Sequence, residues 1–270
     1  MQLEGRVALV TGGARGIGRG IAFALAKAGA DVAVADVDQI TGGVQQYGDT
    51  TVSGFVEAKS TAAEIESLGR RAIAIAADVT RKSQVESMIS QTQKDLGGLD
   101  VLVCNAGVVS AMPLGKIDED TWDLTIDVNL KGVFLCCQAA LPALRARGGG
   151  RIVNIASLAG KVGVPQLSHY CASKFGVVGF SNALAKEVAH HDITVNAICP
   201  GILRTQMWEY LAEELSEPGE SKEESWDRWI KTRIPLGRPQ TPEDIGALVV
   251  YLASAPNVTG QAINVDGGMS

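Results

Sequence analysis

The stretch SHYCASKF, residues 168–175, brings a histidine, a tyrosine, a cysteine and a lysine into one short segment. An imidazole can act as base or metal ligand, a thiol as nucleophile, a phenol as proton donor, and an amine as a charge or Schiff-base former. The segment opens the helical run YCASKFGVVGFSNALAKEVA. On a helix, residues four apart share a face, which puts Tyr170 and Lys174 side by side and turns Cys171 and Ser173 elsewhere. A free tyrosine ionises near pH ~10, and a neighbouring ammonium stabilises the phenolate and draws that value toward neutrality. His169 and Cys171, two apart, do not face each other. Cys171 is therefore expected to be a small packing residue and His169 a neighbour lining a pocket entrance. His190 and His191 fall at the polar C-terminal end of the helix, where cations suit the dipole. With three histidines in all and none at ligand spacing, no metal site is expected.

A second candidate is VALVTGGARGIGRGIA, which puts Gly12, Gly16 and Gly18 on a turn between a β-rich run and a helical one. Glycines there let the backbone turn tightly and approach a pyrophosphate at the positive helix N-terminus. The strand before and the helix after supply the context that such a fingerprint requires.

Both candidates need a scaffold. Apolar β-rich runs lie at 6–11, 31–36, 72–79, 100–107, 151–157, 194–201 and 261–268. They are continuous rather than alternating, as for strands covered on both faces. Amphipathic segments such as GRGIAFALAKAGA, SQVESMISQTQKDL and ALVVYLASA separate them. The expected fold is α/β: a doubly wound, seven-stranded parallel sheet with helices on both faces and right-handed crossovers, one domain over 1–270. Two stretches break the rhythm. Residues 38–56 are polar and Gly-rich and read as a loop insertion after the second strand. Residues 206–235 read as two short helices broken by SEPGES, carrying Trp208, Trp226 and Trp229.

Composition narrows the function classes. At 46% hydrophobic and 20% charged, the chain can bury a substantial core. A net charge of −6 with no basic run argues against binding nucleic-acid backbone. The start MQLEGRVALVTGG lacks the pattern of a signal peptide, and no stretch is expected to span a membrane. Five cysteines with no CxxC pair fit reduced, buried thiols and a cytoplasmic setting.

The order TGxxxGxG at 11–18, Asp78, CNAG at 104–107, Asn129 in DVNLKG, Ser157, YCASK at 170–174, CPG at 199–201 and VDGG at 265–268 resembles the short-chain dehydrogenase/reductase family over almost the full length. The resemblance implies hydride transfer between a nicotinamide cofactor and an alcohol or ketone. It assigns Tyr170 as acid/base, Lys174 as its pKa modifier and ribose ligand, Ser157 as polariser of the substrate oxygen, and Asn129 as anchor of a water relay to the lysine. Gly12, Arg15, Gly16, Ile17 and Gly18 then belong to the cofactor turn. Asp78 and Val79 flank the adenine, Asn105 and Gly107 line the adenosine side, and Leu203 and Thr205 meet the nicotinamide carboxamide. The family usually has Asn where this chain has Cys104, which leaves one of its hydrogen bonds unaccounted for.

Asp36 ends the second strand, where a carboxylate can accept from the ribose hydroxyls and repel a 2′-phosphate; that favours NAD over NADP. Arg15 is a counter-signal, outweighed because like charges in a partly desolvated pocket are costly. The segment from 203 to 235 matches the position of the family's substrate lid, and its TQMWEYL wording resembles the acetoin/butanediol and polyol dehydrogenase branch. Gln166, Met207 and Trp208 are expected to shape the substrate pocket with Ser157 and Tyr170. Val162, Val164 and Leu167 would suit a more apolar ketone or cyclic alcohol. Two other classes stay open: a 3-oxoacyl-thioester reductase using NADPH, and a non-catalytic protein that kept the fold. Family resemblance also implies a homotetramer.

Overall fold

The computed structural model describes residues 2–39, 44–47 and 53–270. Seven strands, β1 (Val7–Thr11), β2 (Asp31–Asp36), β3 (Ala72–Ala76), β4 (Val101–Cys104), β5 (Gly150–Ile155), β6 (Ile193–Pro200) and β7 (Ala262–Val265), form one sheet. All neighbours run parallel, in the order β3-β2-β1-β4-β5-β6-β7. Every residue of β1, β2, β4 and β6 is buried. That is why these strands read as unbroken apolar runs: a sheet covered on both faces has no polar side to alternate with.

The covering helices divide cleanly. On one face lie α1 (Gly16–Lys27), α2 (Gly54–Ser67) and α9 (Pro242–Ser254), whose Ile21, Leu25, Ile65, Ile245, Val249 and Leu252 meet Ala8, Val10, Val32 and Val34. On the other lie α3 (Lys82–Leu96), α5 (Gly132–Ala146) and α6 (Ser168–Val188), packed on Leu9, Leu102, Ile152 and Val195. Val177, Leu184 and Val188 recur along α6 at helical spacing and bury one side of it. Tyr170 and Lys174 are fixed by that packing.

The strand order reverses between β1 and β4, so their C-terminal ends open a crevice where ligands bind in doubly wound sheets. At the opposite end, buried Asp100 accepts from the Val7 amide (2.9 Å), from Arg6 (3.0 Å) and from Arg147 (3.1 and 3.2 Å), tying the entries of β1 and β4 to the end of α5.

Two expectations are refined. The helix α4 (Glu119–Ile126) runs through a π-helical turn at Asp127–Lys131 into α5. The combined run Glu119–Ala146 is long and apolar enough to cross a membrane, with an 18-residue stretch of mean hydropathy 1.3, where no such stretch is expected from the sequence. Its Val133, Leu135, Cys136, Cys137, Ala140 and Leu144 are spent instead on the core under the sheet. The segment 206–235 forms the two expected helices, α7 (Gln206–Glu214) and α8 (Lys222–Arg233). Thr205 caps the first, and a capping box of Ser221 and Glu224 starts the second. In the insertion at 38–56, Gln45–Tyr47 form a short 3₁₀ turn and α2 begins at Gly54. Residues 40–43 and 48–52 of it lie outside the described residues.

Candidate active site

A cavity of about 770 Å³ opens at the C-terminal edge of the sheet and runs from the glycine turn to α7 and α8. Its floor is the turn from β1 to α1. Gly12 holds φ +60°, and a Cβ there would lie 2.8 Å from the Ala106 backbone. At Gly18 a Cβ would lie 2.0 Å from the Gly12 carbonyl oxygen and 2.5 Å from Asn105 Nδ2. Only glycine fits either place, because the backbone of the turn and the loop after β4 are in contact. Asn105 closes that contact by donating from Nδ2 to the carbonyls of Thr11 (3.1 Å) and Gly12 (2.9 Å). Thr205 faces the turn from the other wall, 3.5 Å from where a Cβ on Gly16 would be. Gly12, Arg15, Gly16, Ile17, Gly18, Asn105, Gly107, Leu203 and Thr205 all line the cavity.

Asp36, Asp78 and Val79 line its far end. Asp36 accepts from the amides of Ala14 (3.2 Å) and Val37 (2.9 Å). Burial raises its carboxyl above the usual range, against the opposing pull of the Ala14 amide and the Arg15 guanidinium; Glu57 adds a second negative charge nearby. Arg15 pairs with Glu57 at 3.5 Å and lies 5.2 Å from the centre of the Tyr47 ring. Its buried Nη2 has no acceptor in reach among the described residues. Asp78 is turned toward its own loop, accepting from the Thr80 amide and hydroxyl at 2.9 and 2.7 Å.

Ser157 follows β5 and Tyr170 and Lys174 open α6, so all three meet at one cavity wall. Lys174 Nζ donates to the Ile155 carbonyl at 3.0 Å and lies 5.6 Å from the centre of the Tyr170 ring. Burial pushes the Tyr170 phenol up to about 12, although a hydrogen bond with the Ser157 side chain works the other way. Burial likewise lowers Lys174 to about 8. Among the protein's own groups burial thus dominates the phenol, and the expected lowering by the ammonium does not emerge. Left to itself, Tyr170 is an acid at neutral pH.

Asn129 is fully buried on the π-helical turn. Its Oδ1 accepts from the Val108 amide (2.8 Å), and Nδ2 donates to the Val108 carbonyl (2.9 Å) and to Ser173 Oγ (3.2 Å). It is not part of the cavity wall. Gly107 separates it from the lysine: a Cβ there would lie 3.2 Å from Asn129 Oδ1 and 3.6 Å from Lys174 Nζ.

Three placements depart from the sequence reading. Gln166 is exposed and outside the cavity lining, because its left-handed backbone (φ 65°) turns the chain there while its carbonyl accepts from the Met112 amide. Val162 is likewise exposed, whereas Val164 and Leu167 line the wall. His169 lines no entrance: it is fully buried, its Nε2 is 2.7 Å from Ser110 Oγ, and burial lowers its pKa, so it is neutral. Cys171 packs as expected, its Sγ accepting from the Val164 amide at 3.4 Å. Cys104 is buried beside Cys136 and Cys137, and these neighbours together with burial raise its thiol pKa. Among the described residues no cluster could hold a metal ion.

The sequence reading also missed wall residues. Met207 and Trp208 line the cavity as expected, and Leu211, Leu215, Trp229 and Met269 join them. Trp226 and Trp229, three apart in an amphipathic segment, were the available signal for the last wall. From the insertion, Gln46 is buried and accepts from the Val109 amide at 2.8 Å. Gln45 accepts from the Tyr210 hydroxyl at 2.8 Å, and that hydroxyl accepts from the Ala111 amide at 3.0 Å. The insertion therefore reaches beyond the Asp36 end to touch α7. Nothing in its polar, Gly-rich sequence signals those partners.

Comparison with known proteins gives a consistent family. A family model described as enoyl-(acyl carrier protein) reductase matches residues 12–270. An L-2,3-butanediol dehydrogenase of Corynebacterium glutamicum is 42% identical over 268 residues, covering 98% of each chain. A 3-oxoacyl-(acyl-carrier-protein) reductase of Staphylococcus aureus is 40% identical, covering 97% of each. The crystal structure of a short-chain type dehydrogenase/reductase from Mycobacterium marinum superposes with a TM-score of 0.85 at 37% identity, covering 99% of this chain and 96% of that one.

Proposed function

The chain belongs to the short-chain dehydrogenase/reductase family, and from that premise we propose that it is a cytoplasmic enzyme moving a hydride between NAD(H) and a secondary alcohol or ketone. The observation that carries the reading is the meeting of Ser157, Tyr170 and Lys174 on one wall of the cavity whose floor is the glycine turn.

The turn fits a dinucleotide: Gly12 and Gly18 let it pack tightly on the loop after β4 and on itself, which keeps its backbone bare of side chains at the N-terminus of α1. A bound nicotinamide supplies or accepts the hydride. The protein's part is proton handling and charge. In reduction, Ser157 donates a hydrogen bond to the carbonyl oxygen and stabilises the charge that develops on it. Tyr170, protonated at neutral pH, gives its proton to that oxygen. Lys174 stabilises the phenolate left behind, and Asn129 holds the loop at Val108 that borders the lysine. In oxidation the same proton returns to Tyr170.

NAD is the preferred cofactor in this reading. A 2′-phosphate near Asp36 would meet two carboxylates, Asp36 and Glu57, against the one guanidinium of Arg15. Asp36→Ala should therefore move the kcat/KM ratio toward NADP. The alternative, a 3-oxoacyl-thioester reductase using NADPH, has a namesake among the relatives, and the same two carboxylates speak against it. A panel of secondary alcohols, ketones and 3-oxoacyl thioesters with each nicotinamide, followed by absorbance, tests the proposal. Turnover of thioesters with NADPH alone would replace it. No turnover of any member would leave a binding protein. The exposed Phe134 on α5 and Phe175 on α6 support a homotetramer, which light scattering measures.

A further inference from the structure

Resting on the hydride-transfer reading, we infer that the substrate is an uncharged secondary alcohol or ketone whose reacting carbon carries an extended apolar group, seated against α7. The wall begins at the phenol. Tyr170 packs in one apolar cluster with Leu167 and Leu211, and Val164, Met207, Trp208 and Leu215 pack against that cluster. All seven line the cavity. Val164, Met207, Trp208 and Leu215 are only half-buried, so an apolar group laid on them removes hydrocarbon surface from water. The wall is also long. Trp208 and Met269 pack on the cluster of Trp226 and Ile230, and Met269 lines the same cavity. Apolar surface therefore continues past one indole ring from the phenol.

Polar partners for a substrate are scarce on that wall. Among the described residues, the hydrophilic side chains that the lid adds to the cavity are Arg204, Thr205 and Gln206. The Thr205 hydroxyl accepts from the Trp208 amide at the start of α7 (3.4 Å). Gln206 is exposed. Arg204, the cation there that a carboxylate or phosphate would seek, is held by Glu209 (3.0 Å) and by Glu223. Glu209 also pairs with Lys222 at 3.0 Å. A polyol seated on this wall would bury hydroxyls without partners, and each unpaired one costs binding energy.

The charge of the lid points the same way. Residues 206–233 carry eight carboxylates against four ammonium and guanidinium groups. A carboxylic acid or a phosphate ester would approach against the field of that excess, whereas an uncharged ketone feels no net force from it.

The test uses ketones matched in shape, with NADH at saturation. From methyl ethyl ketone to methyl pentyl ketone, kcat/KM should rise about fourfold for each added CH₂, the worth of burying it. Methyl propyl ketone should beat its analogue with a hydroxyl in place of the end methyl by at least about tenfold. Methyl isopentyl ketone should beat levulinate, in which a carboxylate replaces the branched end, by at least about 100-fold. In Met207→Gln, which keeps the side-chain length and adds an amide, the gain from ethyl to pentyl should shrink at least about threefold. Both ketones are read in the same protein, so a loss of overall activity cancels. A flat series in the wild type, which needs no variant to fold, would overturn the proposal. So would equal use of the hydroxylated or charged partner, or an unchanged gain in Met207→Gln. Calorimetric binding of the same ketones to NADH-loaded protein keeps the two claims apart. Failure of all turnover, with affinity still climbing along the series, would sink hydride transfer and keep the apolar site.

Discussion

Replacing Lys174 by Met keeps the length of the side chain and removes its charge. The ammonium lies 5.6 Å from the centre of the Tyr170 ring. With an effective dielectric of about 20, a unit charge at that distance is worth roughly 3 kcal/mol to a full phenolate, or about two pKa units. In ketone reduction the phenol becomes phenolate as it gives up its proton, so kcat/KM at saturating NADH should fall about 100-fold at pH ~7. The lysine's own titration adds a signature. Burial holds Lys174 at about 8, so at pH ~7 roughly nine in ten wild-type molecules carry the charge and at pH ~9 roughly one in ten do. The ratio of wild type to variant should therefore shrink as pH rises through that value. Removing the amine also frees the Ile155 carbonyl, which it meets at 3.0 Å; a melting curve measures that loss separately. A ratio below about three at pH ~7, or one that grows with pH, would refute the electrostatic role.

Gly18→Ala would force a Cβ to 2.0 Å from the Gly12 oxygen and 2.5 Å from Asn105 Nδ2; NADH binding by fluorescence titration should be lost, with a melting temperature several degrees lower. Asp100→Asn should cost about 1–3 kcal/mol at neutral pH, read by urea unfolding. Burial alone would raise the Asp100 carboxyl, but Arg147, the Val7 amide and Arg6 together hold it below its usual value. Its contribution is therefore full above the unfolded value of about 4 and lost as pH falls through the lower folded value, so the variant and wild type should converge in acid.

The sheet was legible because strands buried on both faces leave unbroken apolar runs, and all seven lie within a few residues of where those runs fall. The meeting of Tyr170 and Lys174 was legible from helical spacing, and the glycine turn from its position between a strand and a helix. What stayed hidden depends on contacts between distant segments. His169 could not be told from a pocket residue, because its partner, Ser110, comes from another loop. Gln46 looks like any polar loop residue until Val109 is placed against it. Gln166 leaves the site through one left-handed backbone angle that its residue type does not advertise. The phenol's raised pKa among the protein's own groups is hidden for a related reason: the spacing of Tyr170 and Lys174 is written in the sequence, whereas the burial of the phenol is a property of the assembled wall.

The central claim is that Tyr170 transfers the proton that accompanies hydride transfer. Single-turnover reduction of a ketone by NADH, measured for wild type and Tyr170→Phe beside an NADH binding titration, tests it most directly. The account predicts a rate lower by about 100- to 10,000-fold, the range of general acid catalysis, with NADH affinity within about threefold of wild type. A variant that keeps its rate while binding NADH normally would contradict it.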